Sequence, residues 1–260
     1  MKIKNYLRMI LPNFILNRLG ADCKLEEFAF NNPLNVKKDI EMKYGFNGDL
    51  LEIFTKNKNQ VVHKWHHYIP IYNRHFSNLI GTKKKFLEIG VFKGGSLQMW
   101  RKYFGNDAVI YGIDIDPNCA KFNGIAGQVR IGSQEDLKFL ETVINEMGGG
   151  ADVILDDGSH KMEHILKTFK FLFPKLNDGG IYVIEDLHTA YIKHYGGGYY
   201  SKFNFFKFVS ELINDMHHWY HSVDLKHPNV SSFCSGIHIY ESIVVFEKSV
   251  VYKPTHSQIS

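Results

Sequence analysis

The sequence predicts an α/β protein: a doubly wound, mostly parallel seven-stranded sheet with a C-terminal antiparallel hairpin and a small helical N-terminal extension. Three observations carry this. From residue 85 onward, short apolar runs at 86–89, 109–113, 129–131, 153–155 and 181–184 alternate with stretches whose apolar residues recur every three or four positions. Such alternation gives parallel strands joined by crossover helices. The chain then finishes with two apolar runs, 236–240 and 242–247, separated by almost nothing, which makes a hairpin at the sheet's edge rather than another crossover. Finally, two of the runs end in acidic clusters, Asp156-Asp157-Gly158-Ser159-His160 and Glu185-Asp186. In an open α/β sheet the ligand crevice lies outside the carboxyl ends of the strands, so both clusters converge on one cleft.

At 260 residues the chain has room for one α/β domain, 81–260, and for a helical extension, 1–80, expected to cover cofactor or substrate. Within residues 1–20, Ile3, Leu7, Ile10, Leu11, Phe14, Ile15 and Leu19 stand at helical spacing among basic residues. That pattern fits a helix packed within the chain or against a second copy, so a homo-oligomer is expected. It lacks the compact apolar core and small-residue cleavage site of a signal peptide.

Composition is that of a soluble globular chain, 44% hydrophobic and 22% charged. It has no apolar stretch long enough to span a bilayer, and no integral membrane contact is expected. The net charge of +4 is small, and Lys83-Lys84-Lys85 is the main basic cluster. Nucleic acid is therefore not indicated as a partner. Cys23, Cys119 and Cys234 are far apart and in no paired spacing, which argues against a disulfide framework or a zinc site and for the reducing cytoplasm.

Between the strands, 96–104, 134–147 and 159–173 read as crossover helices stopped by Gly105, by Gly148-Gly149-Gly150 and by Pro174. A long helix is expected over 202–220, and His217, His218 and His221 are expected on a helix surface.

The first strand runs into Glu88-Ile89-Gly90-Val91-Phe92-Lys93-Gly94-Gly95-Ser96, a turn whose glycines let backbone approach a ligand at a helix N-terminus. It is not the dinucleotide fingerprint, because Phe92 takes the second glycine's position and would crowd a pyrophosphate. The second strand ends in Gly112-Ile113-Asp114-Ile115-Asp116, which offers a carboxylate to the two hydroxyls of a ribose. The third leads into Gly132-Ser133-Gln134-Glu135-Asp136, polar groups able to bracket an adenine ring. Each piece alone reads as a cap or a solvated turn. On successive strand ends, in this order, they point to a nucleoside cofactor.

Phe86-Leu87-Glu88-Ile89-Gly90-Val91, Gly112-Ile113-Asp114-Ile115-Asp116 and the run from Val153 through His160 resemble the cofactor-binding strand ends of class I S-adenosylmethionine-dependent methyltransferases. More narrowly, Asp157-Gly158-Ser159-His160 with Tyr182-Val183-Ile184-Glu185-Asp186-Leu187 and Thr189-Ala190-Tyr191 resembles the metal-dependent macrolide and sugar O-methyltransferases of mycinamicin and cephamycin biosynthesis. The resemblance spans roughly residues 60–200 and is specific in the acidic motifs. It implies a Rossmann-like methyltransferase fold, with S-adenosylmethionine and Mg²⁺ (or Mn²⁺) as cofactors. It also implies Glu88 near the methionine carboxylate or amino group, Asp114 on the ribose, Ser133 and Gln134 near the adenine, and Asp156 near the cofactor's amino end. Gly90, Ser96 and Asp116 complete the expected cofactor-binding set. Upstream, His63-Lys64-Trp65-His66-His67-Tyr68 and Tyr72 are similar to a segment that closes over the cofactor, which brings in Lys64 and Tyr68. An acidic residue commonly precedes that lysine in the family, and here it is His63.

Asp157, Glu185 and Asp186 supply all-oxygen ligands, suited to Mg²⁺ or Mn²⁺ rather than zinc, with coordination positions to spare for two substrate oxygens such as a vicinal diol. His160, three residues beyond Asp157 and expected in the first turn of a helix, is then placed as the general base beside Asp157. Imidazole is largely neutral near pH 7 and able to take a proton. Tyr191 and Tyr195 lead into Gly196-Gly197-Gly198-Tyr199-Tyr200, a glycine-rich aromatic loop able to close over a sugar ring.

The reading is an S-adenosylmethionine- and Mg²⁺-dependent O-methyltransferase acting on a hydroxyl of a sugar or sugar-containing metabolite. A nucleotide-activated sugar for a surface glycan, capsule or lipopolysaccharide, is the expected acceptor. Two alternatives stand beside it. A nicotinamide-dependent sugar oxidoreductase or epimerase would use the same sheet, but Phe92 opposes it and no Tyr-x-x-x-Lys pair is evident. A binding protein with a vestigial cofactor pocket would need none of the acidic chemistry.

Overall fold

The computed structural model describes residues 35–260. The amphipathic pattern within residues 1–20, and the self-association expected from it, lie outside the described residues.

Seven strands form one sheet in the order β3-β2-β1-β4-β5-β7-β6. β1 (Lys85–Ile89), β2 (Val109–Asp114), β3 (Gln128–Ile131), β4 (Ala151–Asp156) and β5 (Leu176–Ile184) are parallel. β6 (Cys234–Tyr240) and β7 (Ile243–Lys248) make the antiparallel hairpin, with β7 paired antiparallel to β5 and β6 outermost. The chain leaves β1 toward β2 on one side and reaches β4 on the other, so strand order reverses between β1 and β4. That switch point opens a crevice at their carboxyl ends.

The parity of the strands sorts the core into two layers. Leu87 and Ile89 of β1, Ile154 of β4, Tyr182 and Ile184 of β5, and Val244 and Phe246 of β7 face one layer. Phe86, Val153, Leu155, Val183, Ile243 and Val245 face the other. This is the period of two that places alternate residues on opposite faces of a sheet. The first layer is covered by α5 (Leu137–Glu146), α6 (Met162–Leu172) and α7 (Phe205–Met216), with the short α8 (Pro228–Ser231). The second is covered by α1 (Val36–Tyr44), α2 (Asp49–Thr55), α3 (Tyr68–Phe76) and α4 (Gly95–Phe104). The helices upstream of residue 80 thus share a core with β1, β4, β5 and β7. At its centre Trp100 is fully buried, with its ring centroid 5.1 Å from that of Tyr72, 5.3 Å from Phe86 and 5.7 Å from Phe76. Truncating such a side chain to alanine costs about 3–5 kcal/mol.

Helix starts differ from the sequence expectation. α5 begins at Leu137 because the Asp136 carboxylate accepts from the backbone N–H groups of Lys138 and Phe139, at 3.0 and 3.2 Å. Ser133 and Gln134 therefore lie in the preceding loop. α6 begins at Met162, not at Ser159, so His160 precedes the helix with φ 55°. The long helix expected over 202–220 is α7 alone, capped by Asn204 and followed by a short 3₁₀ turn. The glycine-rich loop is packed rather than loose: Gly197 and Gly198 are buried, and Asn204 Nδ2 donates to the carbonyls of Ala190 and Gly198 at 3.0 and 3.1 Å. Lys85 of the lysine cluster donates to the carbonyls of Gly148 and Gly149, both at 2.8 Å, just past the end of α5. Among the described residues, no helix is long and apolar enough to cross a membrane, and Cys119 and Cys234 are both buried and unpaired.

Candidate active site

A cleft of about 320 Å³ opens at the switch point, within the size range of small-molecule sites. Its walls include Lys64, Gly90, Ser96, Asp114, Asp116, Asp157, His160 and Asp186. Glu88, Ser133, Gln134, Asp156, Tyr68 and Glu185 do not line it. Each of these six has a different position, described below.

At the β1 end, Gly90 has φ 100°, and a Cβ built there would come 2.2 Å from the Asp157 carbonyl oxygen. Only glycine lets the two strand ends approach so closely. Phe92 follows at φ 51° with its side chain exposed, a left-handed conformation that costs a non-glycine residue about 1–3 kcal/mol. Asp114 holds the turn in place: its Oδ2 accepts from the N–H groups of Val91 and Phe92 at 2.9 and 2.8 Å, and its Oδ1 from Asp116 N–H at 2.8 Å. Asp116 in turn accepts from Asn118 N–H at 2.9 Å, capping the turn that follows β2. The Asp114 carboxylate still has lone pairs for a ribose, but three of its contacts are already spent on backbone N–H groups. Cys119 also lines this wall, its thiol 3.1 Å from the Phe92 carbonyl.

Glu88 lies beneath the turn, fully buried, accepting from Ser96 Oγ at 2.8 Å and Trp100 Nε1 at 3.2 Å. Burial pushes its carboxyl up to about 7, against the opposing pull of Lys64 and of those two donors. Asp156 is likewise buried, with Gln134 Nε2 at 3.2 Å and Tyr182 Oη at 3.3 Å. Desolvation raises its carboxyl to about 6, partly offset by His160 and by donated hydrogen bonds. Gln134, expected on an adenine, uses both ends of its amide inside the protein: the NH₂ on Asp156 and the carbonyl on Ser159 N–H at 2.7 Å. A Tyr182–Asp156–Gln134 chain therefore fixes the backbone of the loop that carries Asp157 and His160. Ser133 Oγ accepts from Glu135 N–H at 3.3 Å within its own turn.

At the β4 and β5 ends, Asp157, His160 and Asp186 come together. His160 Nε2 lies 3.9 Å from Asp157 Oδ1 and 3.9 Å from Asp186 Oδ2, and the three donor groups fall within 4.8 Å of one another. The side of the His160 ring meets Tyr195 edge-on at 6.3 Å. Asp186 has φ 55° and is held by three contacts. Trp65 Nε1 donates to Oδ1 at 2.9 Å, the Tyr68 hydroxyl lies 3.0 Å from the same oxygen, and that hydroxyl accepts from Asp186 N–H at 3.1 Å.

Glu185 points away from the cleft. The buried Lys64 ammonium lies 3.1 and 3.0 Å from its two oxygens, and the Tyr72 hydroxyl donates to Oε1 at 2.5 Å. Lys64 also reaches Asp157 Oδ2 at 2.6 Å and stands 3.9 Å from Glu88. Burial alone would lower the lysine's pKa, but Asp157, Glu185 and Glu88 together raise it above its ordinary value, so it stays charged. Burial, and then Asp157, push the Glu185 carboxyl well up, with Lys64 opposing. The Lys64–Tyr68 segment, expected over the cofactor, thus spends Lys64, Trp65 and Tyr68 on the acidic strand ends. Gly95 admits this segment, because a Cβ there would come 2.3 Å from the Val61 carbonyl.

Hard oxygen donors with an imidazole beside them suit a divalent cation such as Mg²⁺. Asp157 and Asp186 present oxygens to the cleft, whereas Glu185 joins them only by giving up a bond to Lys64 or Tyr72. Sequence reasoning did not single out Phe92, Cys119, Val61 or Val62 as cleft wall. Only the Phe92 position within the glycine turn carried a local signal.

Residues 87–187 match the model of the methyltransferase domain family Methyltransf_24. Over 215 residues the chain is 34% identical to the 8-demethyl-8-(2-methoxy-alpha-L-rhamnosyl)-tetracenomycin-C 3'-O-methyltransferase of Streptomyces olivaceus, covering 77% of this chain and 54% of that one. It is 35% identical over 203 residues to the demethylmacrocin O-methyltransferase of Streptomyces fradiae, covering 72% and 50%. The chain thus spans about half the length of these curated relatives. Among solved structures, the MycE methyltransferase of the mycinamycin pathway in complex with Mg and SAH superposes with a TM-score of 0.70 at 30% identity, over 79% of this chain and 55% of that one. The same enzyme with Mg, SAH and mycinamycin VI matches equally well, at TM-score 0.70. Residues 87–187 thus match a methyltransferase domain, and the chain as a whole is similar to macrolide and sugar O-methyltransferases, as its strand-end motifs imply.

Proposed function

We propose that this protein is an S-adenosylmethionine- and Mg²⁺-dependent O-methyltransferase acting on a hydroxyl of a sugar-containing small molecule in the cytoplasm. The observation that carries the reading is the convergence of Asp157, Asp186 and His160 at one end of a cleft whose other end is built from Gly90 and Asp114. When bound, the sulfonium supplies an electrophilic methyl group and the divalent cation acidifies the acceptor hydroxyl.

The protein's own residues do the rest. Asp114 orients the glycine turn and offers its remaining lone pairs to the ribose. Asp157 and Asp186 would hold the cation, with Glu185 behind them as a third carboxylate once freed from Lys64 or Tyr72. His160 Nε2, between the two aspartates, accepts the hydroxyl proton as general base. A vicinal diol on a sugar would offer such a cation two further oxygen donors. The named activities of the relatives, all O-methylations and several on sugar-bearing polyketides, support the acceptor class. A nucleotide-activated sugar for a surface glycan is the finer form of the same reading.

Calorimetric titration of S-adenosylmethionine with and without Mg²⁺, paired with a mass-spectrometric screen for one added methylene across glycosides and nucleotide sugars, tests it. Cofactor binding survives chelator while methyl transfer stops. His160→Ala lowers turnover roughly 10²–10⁴-fold, the usual worth of a general base. Undiminished turnover in excess chelator rules out the cation's role. Failure to bind S-adenosylmethionine at all rejects the methyltransferase reading.

A further inference from the structure

A second cluster of metal-ligating side chains lies on the face of the outer hairpin that packs against α3, away from the cleft. His75 sits in the last turn of α3, His238 on β6 and Glu247 on β7. In the hairpin register His238 pairs with Val245, so Glu247, two residues along the strand, shares its face. Gly236 makes room for the carboxylate, because a Cβ there would come 2.9 Å from Glu247 Oε2. His238 Nε2 is 2.9 Å from Glu247 Oε1, and the His75 and His238 rings lie 4.7 Å apart at 64°. The ligating atoms of all three fall within 4.8 Å of one another.

We propose that His75, His238 and Glu247 form a second metal site, selective for a transition ion such as Zn²⁺. Two imidazoles and one carboxylate are the donor set of many zinc centres, which take four ligands and leave the fourth position to water. Nitrogen donors also separate this site from the oxygen-rich one at Asp157 and Asp186, which suits harder cations. The Tyr240 hydroxyl, 3.0 Å from His75 Nε2, orients that ring. Arg74, an opposing charge, lies on the exposed side of the helix, 3.5 Å from the same hydroxyl. An ion here would cross-link the end of α3 to the outer hairpin.

Metal-stripped full-length Asp157→Ala/Asp186→Ala protein, in which the acidic site is disabled, is titrated with Co²⁺ as a visible probe for Zn²⁺. One equivalent binds with the intense bands of a tetrahedral ion, Zn²⁺ displaces it, and the thermal midpoint rises with the metal. Adding His238→Ala, or independently His75→Gln, weakens Co²⁺ binding by at least about tenfold, the low end of what losing even a supporting partner costs. The metal-free thermal midpoint of each variant verifies that it folds. Equal Co²⁺ binding in the background protein and in both histidine variants, or none in the background protein, overturns the proposal.

Discussion

The two ends of the cleft are built in opposite ways. At the β1 and β2 ends a single carboxylate, Asp114, is held by backbone N–H groups, from Asp116 two residues on and from Val91 and Phe92, 23 and 22 residues back. At the β4 and β5 ends, Asp157, Glu185 and Asp186 are held by side chains from the Lys64–Tyr72 segment, 93 to 121 residues away in sequence. Backbone donors are supplied by the fold whatever the side chains, whereas a buried ammonium must be bought with its own desolvation. The cofactor end therefore rests on one carboxylate bonded to backbone, and the acceptor end on a buried lysine and its aromatic neighbours.

The largest break in this contrast is expected from Lys64→Met. It leaves Glu185 and Glu88 buried without their cation and should cost about 3–5 kcal/mol, read as a drop in the urea midpoint at unchanged slope. A loss under about 1 kcal/mol would mean that the carboxylates simply protonate and the lysine organises nothing. Next, Asp114→Ala removes charge-assisted bonds to the glycine turn. It should weaken S-adenosylmethionine binding by about 1.5–3 kcal/mol, roughly tenfold to a hundredfold, with Mg²⁺ affinity unchanged. If Mg²⁺ binding falls equally, the two ends are not separable. The smallest effect belongs to Tyr68→Phe, which removes the hydroxyl's contacts to Asp186 and to the Ser242 carbonyl. It should cost about 1 kcal/mol in stability and leave cofactor affinity intact, checked by parallel denaturation and calorimetry.

The same contrast explains what was legible in the sequence. Five parallel strands and the hairpin were readable because apolar runs and turn residues are local signals. Gly90, Asp114, Asp157 and Asp186 were placed near the cleft because each stands just past or at the end of such a run. The partner of Glu185 was not readable, since nothing near residue 185 signals a lysine 121 positions upstream. Gln134 and Asp156 were expected on the cofactor, but their polarity alone does not tell a ligand contact from an internal bond, and here they brace Ser159. The start of α6 was misplaced for a related reason: Asp157 and Ser159 look like caps, yet the helix begins after Lys161 with no side-chain cap. His75, His238 and Glu247 carry no shared signal in the sequence, because a helix end and two strands meet only in three dimensions.

The contact between Gly90 and the Asp157 carbonyl has a consequence for engineering. The turn that would carry the methyl donor and the loop that would carry the acceptor's carboxylate touch backbone to backbone, with no side chain between them to absorb a change. A chimaera that takes its β1–β2 segment from one relative and its β4–β5 segment from another must match at this seam, or the donor and acceptor ends will be offset by the width of a methyl group. Recombination points in this fold therefore belong outside the pair, before the Lys64–Tyr72 segment and after β5, so that both ends travel with the side chains that hold them.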